Sequence, residues 1–304
     1  MAAPAIAVAV NVTGLPASPA LVAVKVFAPA AAPSVQLPTV AMPLAFVVAL
    51  KAVAEPPPEA TANASGIATI GSWTLGTTPG SNTLTATATG LTGSPLTFTA
   101  TATVNLGTAA AFAVLGAGAS SCVGTTNIAG NVGVYPAGTM SGFPTPCVIS
   151  APGDGTVHLN DATALHAQTD VTIANLSLTG MACTTDLTGQ DLGTVAPLAP
   201  GVYCFTSTAQ LTGTLTLSGP ANGLWVFKIG STLTTAAGAT ITGTAPAANI
   251  FFVVGSDAPI GATNSLRGNI IAAASITLGT GTSLTGRALA KAAITMDTNN
   301  IVLP

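Results

Sequence analysis

The chain has 304 residues, of which 5% are charged and 4% aromatic, with a formal net charge of −3; an average globular domain is about 25% charged. Six Lys and Arg cannot supply the basic footprint of a nucleic-acid binder, and a mean hydropathy of +0.66 is opposite to that of a disordered chain. Glu, Lys and Leu at helical spacing are scarce, which excludes a coiled coil or helical repeat. The abundant residues are β-formers (Thr, Val, Ile) and turn-formers, with 33 Gly and 22 Pro. The first reading is an all-β protein kept soluble by hydroxyls.

Residues 1–60 are rich in Ala, Pro and Val, with a run at Pro56, Pro57 and Pro58 and poor periodicity. The longest apolar run, ten residues from Ala41 to Leu50, contains Pro43, and falls short of the about 18 residues of a membrane span. The first basic residue is Lys25, so the start reads as lacking a standard export signal, as a fragment or a misassigned start would. Residues 61–104 are clearer. Asn82-Thr83-Leu84-Thr85-Ala86-Thr87-Ala88 and Leu96-Thr97-Phe98-Thr99-Ala100-Thr101-Ala102 alternate strictly, and Ile67, Ile70 and Trp73 are the expected core of an earlier strand pair. Such spacing suits half-buried strands of a β-sandwich.

Asn63-Ala64-Ser65-Gly66-Ile67-Ala68, followed by Gly71-Ser72-Trp73-Thr74-Leu75-Gly76, resembles the C-terminal half of a bacterial Ig-like repeat. Where such repeats are Gly-rich, this chain reads Lys51-Ala52-Val53-Ala54-Glu55-Pro56-Pro57. Codons for those residues, read one base later, can spell Ser-Gly-Gly-Gly-Thr-Ala. The expectation is therefore a partial Ig-like domain over 61–104. Before it an aberrant or poorly ordered segment is expected over 1–60, either genuine or a frame-shifted Ig-like half. The third domain is 105–304.

The four cysteines, Cys122, Cys147, Cys183 and Cys204, form two near-neighbour pairs. No CxxC or Cys/His spacing suggests zinc, and no metal or other cofactor is expected. Disulfides Cys122–Cys147 and Cys183–Cys204 are favoured among three connectivities, with four buried thiols as the alternative; disulfides imply an oxidising compartment. Between the pairs, residues 159–176 form the one good helix pattern. Asn160 can cap it, and Leu159, Ala162, Leu165, Thr169, Ile173 and Leu176 recur at three- and four-residue steps as its apolar stripe.

From residue 201 onward a pattern recurs about every 20 residues. An apolar strand such as Val202-Tyr203-Cys204-Phe205 or Ile250-Phe251-Phe252-Val253 is followed by a Thr/Ser strand such as Ser231-Thr232-Leu233-Thr234. A third short strand such as Thr240-Ile241-Thr242 closes the unit. Three strands per unit with inward aliphatics describe a β-solenoid of triangular section, and the helix would lie along the face of fully apolar strands.

Residues 106–304 closely resemble the DUF3494 ice-binding (antifreeze) family. The resemblance is carried by 106–115 (Leu106-Gly107-Thr108 through Leu115), Gly130-Asn131-Val132-Gly133-Val134, Pro200-Gly201-Val202-Tyr203, 210–217, 225–233 and Gly286-Arg287-Ala288-Leu289-Ala290. It implies a discontinuous right-handed β-solenoid with the helix inserted between early and late coils. It further implies secretion to the extracellular side or cell surface, and an ice crystal surface as partner. A monomer with no nucleic-acid partner and no membrane span is expected.

Thr offers a hydroxyl and a methyl on a stiff β-branched stem, and few charges means few hydration shells that mismatch a neutral lattice. In the second strand of each unit the aliphatics point inward, so Thr212, Thr232, Thr234, Thr263, Ser275, Thr277 and Thr295 are expected on one outward face. The resemblance favours that face for ice. Thr214, Thr216, Thr240, Thr242, Ser283 and Thr285 on the third strands make the rival face. Pro259, Gly261 and Ala293 interrupt the favoured row.

No catalytic constellation is expected. His158 and His166 have no Ser or Cys partner in the pattern, and Asp154, Asp161, Asp170, Asp186 and Asp191 fall around the helix and loops rather than converging. Lys228, Arg267, Arg287 and Lys291 read as isolated charges at coil edges. The reading is thus a non-enzymatic ice binder that inhibits ice growth or recrystallisation. The alternative is a structural or adhesive cell-surface module with an Ig-like spacer and no ice activity.

Overall fold

The structure is a computed structural model that describes residues 103–136, 138–151 and 155–304; before them it describes eight strands, Val8–Asn11, Val22–Ala23, Thr39–Ala41, Val47–Ala52, Ala60–Thr61, Ile67–Ala68, Gly80–Thr87 and Leu96–Ala102. The chain divides into two compact units, Met1–Thr103 and Val104–Pro304.

In the first unit the two strictly alternating segments pair antiparallel, Gly80–Thr87 with Leu96–Ala102. Val8–Asn11 and Val47–Ala52 flank them, and Ala60–Thr61 joins at the edge. Val22–Ala23, Thr39–Ala41 and Ile67–Ala68 form a second antiparallel sheet. The expected core residues Ile70 and Trp73, the run Pro56 to Pro58 and most of 1–60 lie outside the described residues.

The second unit is a three-faced parallel β-solenoid with one helix. Its first face is a continuous stack in the order Val157–Leu159, Asn131–Val134, Phe112–Gly116, Ser283–Ala290, Ser265–Ala272, Ile250–Val254, Trp225–Ile229, Gly201–Phe205 and Thr185–Asp186. The early coils therefore sit beyond the last coil, so the solenoid is discontinuous. Helix α1 (Ala162–Thr179) makes this possible. Its 18 residues extend about 27 Å, equal to between five and six strand spacings of about 4.8 Å. It carries the chain along most of the stack, the residues after it complete the passage to Thr185–Asp186 at the far end, and the later coils return to meet the early ones.

The central first-face strands are apolar on both sides because both sides are covered. Tyr203, Phe227 and Phe252 point inward and stack, with ring centroids 5.4 and 4.7 Å apart. Their neighbours Val202, Val226, Phe251, Ile271 and Leu289 face the helix and pack on Ala167, Val171, Ala174 and Leu178. The corner from third to first face passes through Gly268 and Gly286, paired in register. Gly268 has a left-handed backbone (φ 120°), and a Cβ on Gly286 would overlap the Gly268 carbonyl. Only glycine allows coils to stack this closely here.

The helix differs from expectation in two respects. Its N-cap is Asp161, not Asn160: the Asp161 carboxylate accepts from Ala164 N at 2.8 Å. Asn160 instead takes a left-handed backbone (φ 55°) and holds Gly138 through both its backbone groups, at 3.0 and 3.1 Å. The buried stripe is Ala164, Ala167, Gln168, Val171, Ala174 and Leu178. Leu176 is 65% exposed and Ile173 53%, and Leu159 lies in a strand before the helix. Small side chains let the helix approach a face already filled by Phe251, Val226 and Leu115. The larger aliphatics point outward.

Two basic residues fasten α1. Lys291 Nζ donates to Gln168 O at 2.8 Å and Thr172 Oγ1 at 2.6 Å, and Lys228 Nζ to Met181 O at 2.7 Å. Arg287 is not an edge charge: it is only 8% exposed and sits where early and late coils meet. Its guanidinium donates twice to Ala110 O (3.1 and 2.7 Å) and once to Asn269 Oδ1 (2.8 Å). Burial pulls its pKa down to about 10. Both favoured disulfides are present, with Cα–Cα distances of 6.3 Å for Cys122–Cys147 and 5.9 Å for Cys183–Cys204.

Candidate functional site

The second face is built from Thr139–Ser141, Ala119–Val123, Ala293–Asp297, Ile276–Leu278, Ala258–Ile260, Leu233–Thr235 and Ala209–Leu211. Leu233 N donates to Asp257 O at 3.1 Å, which continues the stack between its last two sheets. Alternation makes the face. Ile294, Met296, Ile276, Leu278, Ala258, Ile260, Leu233 and Leu211 fill the interior, so their neighbours stand outward.

Register then places a single outward row: Ser141, Ser121, Thr295, Thr277, Pro259, Thr234 and Gln210. The row ends at Asp191, bridged to Gln210. Three of the expected residues, Thr295, Thr277 and Thr234, occupy this row. Ser275 and Thr232 stand beside it, one residue before Ile276 and Leu233, where the chain enters the face.

Two expected residues are not in the array. Thr212 donates its hydroxyl to Asp191 Oδ2 at 2.5 Å and its amide to Asp191 Oδ1 at 2.9 Å, so it is committed to the protein. Thr263 lies in the turn toward the third face, with a left-handed backbone (φ 56°), and its hydroxyl donates to Ala262 O at 2.7 Å. Conversely, Ser121, Ser141 and Thr139 join the face from the early coils, and Ser121 Oγ reaches Thr295 Oγ1 at 3.5 Å across 174 residues of sequence. Their only signal is the short alternation of Ala119-Ser120-Ser121-Cys122, which does not reveal the neighbour.

Charge lies at the ends of the row and beside it: Asp257, which precedes Ala258 where the chain enters the face, accepts from Ser275 N at 2.9 Å. Burial raises the Asp191 pKa, but hydrogen bonds from Thr212 and Gly193 more than offset this and hold it below the usual range. Hydroxyl donors Thr280 and Thr298 hold Asp297 low in the same way. These carboxylates are already solvated by protein donors. Among the described residues, no group of three His, Cys, Asp or Glu could hold a metal ion. His158 is paired by Nδ1 to Asp161 Oδ2 at 2.8 Å, at the end of the solenoid and away from this row.

The third face is Val148–Ser150, Asn127–Ala129, Asn300–Val302, the first halves of Ser283–Ala290 and Ser265–Ala272, Thr240–Gly243 and Thr214–Leu217. It carries Arg267, whose Nη1 donates to Gly243 O at 2.9 Å, and Asn127 and Asn300.

Residues 114–302 match the family model described as Ice-binding-like. The chain belongs to this ice-binding-like family. An ice-binding protein of Nostoc sp. (strain HG1) is 45% identical over 176 residues, 57% of this chain and 63% of that protein. The chain thus spans a little under two thirds of that relative's length. A crystal structure of an ice binding protein from an Antarctic Biological Consortium has a TM-score of 0.62 at 37% identity, covering 66% of this chain and 91% of that one. That of an ice-binding protein from the Antarctic ascomycete Antarctomyces psychrotrophicus has a TM-score of 0.59 at 32% identity, covering 66% and 98%. The ice-binding-like solenoid here is the unit that carries the hydroxyl row.

Proposed function

We propose that this protein binds ice through the second face and thereby inhibits ice growth or recrystallisation. The observation that carries the reading is the outward row through Ser121, Thr295, Thr277 and Thr234, on inward neighbours that are fully buried. Successive strands repeat at about 4.8 Å, so small hydroxyls and methyls recur at a regular step on a stiff support. Thr277 has no partner for its hydroxyl among the described residues, so it is free to bond lattice water. The relatives' ice-binding names support the same reading.

Adsorption needs no chemical step. The protein is a non-enzymatic binder, acting as a monomer outside the cell, where its two disulfides persist. Contact holds the growing front at points of adsorption, and the ice between them must curve. Residues 61–104 are a partial Ig-like domain. The experiment is thermal hysteresis and recrystallisation inhibition by the full chain, wild type and with Thr232→Tyr or Thr277→Tyr. Wild type is expected to be active and both variants to lose most of the activity with unchanged melting temperature. Full activity in both variants rules out the second face.

A further inference from the structure

The turns that lead from the second face to the third carry a buried polar column. In register order, the residues just before the third-face strands are Cys147, Thr126, Asn299, Thr282, Asn264 and Ala239. Asn264 and Asn299 are 2% exposed, and Thr126 and Thr282 fully buried. Polar side chains buried in this way bond the protein, and these bond from coil to coil.

Asn299 N donates to Thr126 Oγ1 at 3.0 Å, and Asn299 Nδ2 to Gly279 O at 2.8 Å. Thr282 Oγ1 donates to Gly261 O at 2.9 Å. Asn264 Nδ2 donates to Thr235 Oγ1, and Asn264 Oδ1 accepts from Ala239 N at 2.7 Å. Gly279 and Gly261 directly follow the second-face strands Ile276–Leu278 and Ala258–Ile260, and Thr235 closes Leu233–Thr235. The column therefore ties down the ends of the strands that carry the outward row.

One step along the row depends on it most. Backbone pairing on the second face is continuous from Thr139–Ser141 to Ala258–Ile260, whereas Leu233–Thr235 pairs with Ala209–Leu211 in a separate sheet. Pro259, at the centre of Ala258–Ile260, has no N–H to give to the next coil. Side chains take over there. Thr235 Oγ1 accepts from Asn264 Nδ2 and, at 2.9 Å, from Gly261 N, alongside the backbone bond from Leu233 N to Asp257 O. Thr234 lies two strand spacings, about 9.6 Å, from Thr277, so this step sets its place in the row.

We infer that Asn264 and Thr235 are positioning residues for ice contact: they hold Thr234 in line with Thr277 and Thr295 across the break that Pro259 makes. The inference rests on the ice-binding reading of the protein and extends it to Asn264, a side chain too buried to touch ice. Hydroxyls already held in place give up less freedom on adsorption than hydroxyls on a loose strand.

The test measures thermal hysteresis of the full chain at equal folded concentration, with amide hydrogen exchange read by mass spectrometry on the same samples. Thr235→Val keeps the side-chain shape and removes the hydroxyl, and Thr235→Ser restores it. Asn264→Ala cuts the same link from the buried side. Leu178→Ala, in the cluster beneath the helix, destabilises the solenoid away from the second face. Thr235→Val and Asn264→Ala are expected to lose most of the hysteresis and to raise exchange in Leu233–Thr235 by about 2- to 10-fold, as the loss of a hydrogen bond would. Thr235→Ser is expected to behave as wild type, and Leu178→Ala to keep its hysteresis despite a lower melting temperature. Wild-type hysteresis in both Thr235→Val and Asn264→Ala overturns the inference, and so does an equal loss in Leu178→Ala. A wild type with no hysteresis overturns the ice-binding reading itself, and this inference with it.

Discussion

Arg287→Ala tests the join between early and late coils, on which the continuity of the hydroxyl row depends. The guanidinium reaches Ala110 O and Asn269 Oδ1 through three hydrogen bonds, from a site only 8% exposed. Asn269 is fully buried, and its amide nitrogen is already bonded to Ile250 O at 3.1 Å, so its oxygen has no second donor to turn to. Losing a bond to a charged group costs about 1.5–3 kcal/mol, and an orphaned buried acceptor about 1–3 kcal/mol. Ala110 is exposed and its carbonyl rehydrates, so the sum is held to about 3 kcal/mol. In a domain of this size each kcal/mol moves the melting temperature by about 2–4 °C, so a fall of roughly 6–12 °C is expected. Arg267→Ala is the internal control. It removes one exposed bond to Gly243 O, worth at most about 0.5 kcal/mol. Differential scanning calorimetry reads both variants. Equal shifts for the two would refute the claim that Arg287 fastens the coils.

Three further outcomes follow from the same structure. Leu178→Ala, beneath the helix and fully buried, is expected to cost about 2–5 kcal/mol in urea unfolding, whereas Leu176→Ser, on the outer side, stays within about 0.5 kcal/mol; the reverse order would place the helix face wrongly. Replacing Cys183 and Cys204 by Ser opens a loop of sequence separation 21 and is expected to cost about 3 kcal/mol in the same assay; no change in the urea midpoint would mean the disulfide constrains nothing. Asp161, Asp186, Asp191 and Asp297 all have pKa values lowered in the folded protein. A lowered folded pKa gives stability that is complete above the unfolded carboxylate range and is lost as pH falls through the folded value. The urea midpoint is therefore expected to fall on acidification below about pH 4, and a midpoint that rises there would contradict these hydrogen-bond assignments.

The solenoid was legible because each short strand carries one or two inward aliphatics at a fixed repeat, as in Thr240-Ile241-Thr242 and Ser283-Leu284-Thr285. That period survives whatever the coils stack against. Most of the face could be read for the same reason, since Thr234, Thr277 and Thr295 flank inward Leu233, Ile276 and Ile294. What could not be read depends on partners distant in sequence. Ser121 meets Thr295 only because α1 sends the chain back along the stack. Arg287 is buried because Ala110 lies beside it, 177 residues earlier. Thr212 looks like its neighbours in sequence but is held by Asp191, 21 residues away. The helix face was misread because periodicity favours bulky aliphatics, whereas close approach to a filled strand face favours alanine.

The most direct test of the central claim is to place the same bulky residue on two sides of the molecule and measure thermal hysteresis. Thr295→Tyr sits in the hydroxyl row where early and late coils join, and Leu176→Tyr sits on the outer side of the helix, 65% exposed. With both variants folded to the wild-type melting temperature, Thr295→Tyr is expected to lose most of the hysteresis and Leu176→Tyr to keep it. Hysteresis lost in Leu176→Tyr and kept in Thr295→Tyr would put the ice contact on the helix side and contradict the account.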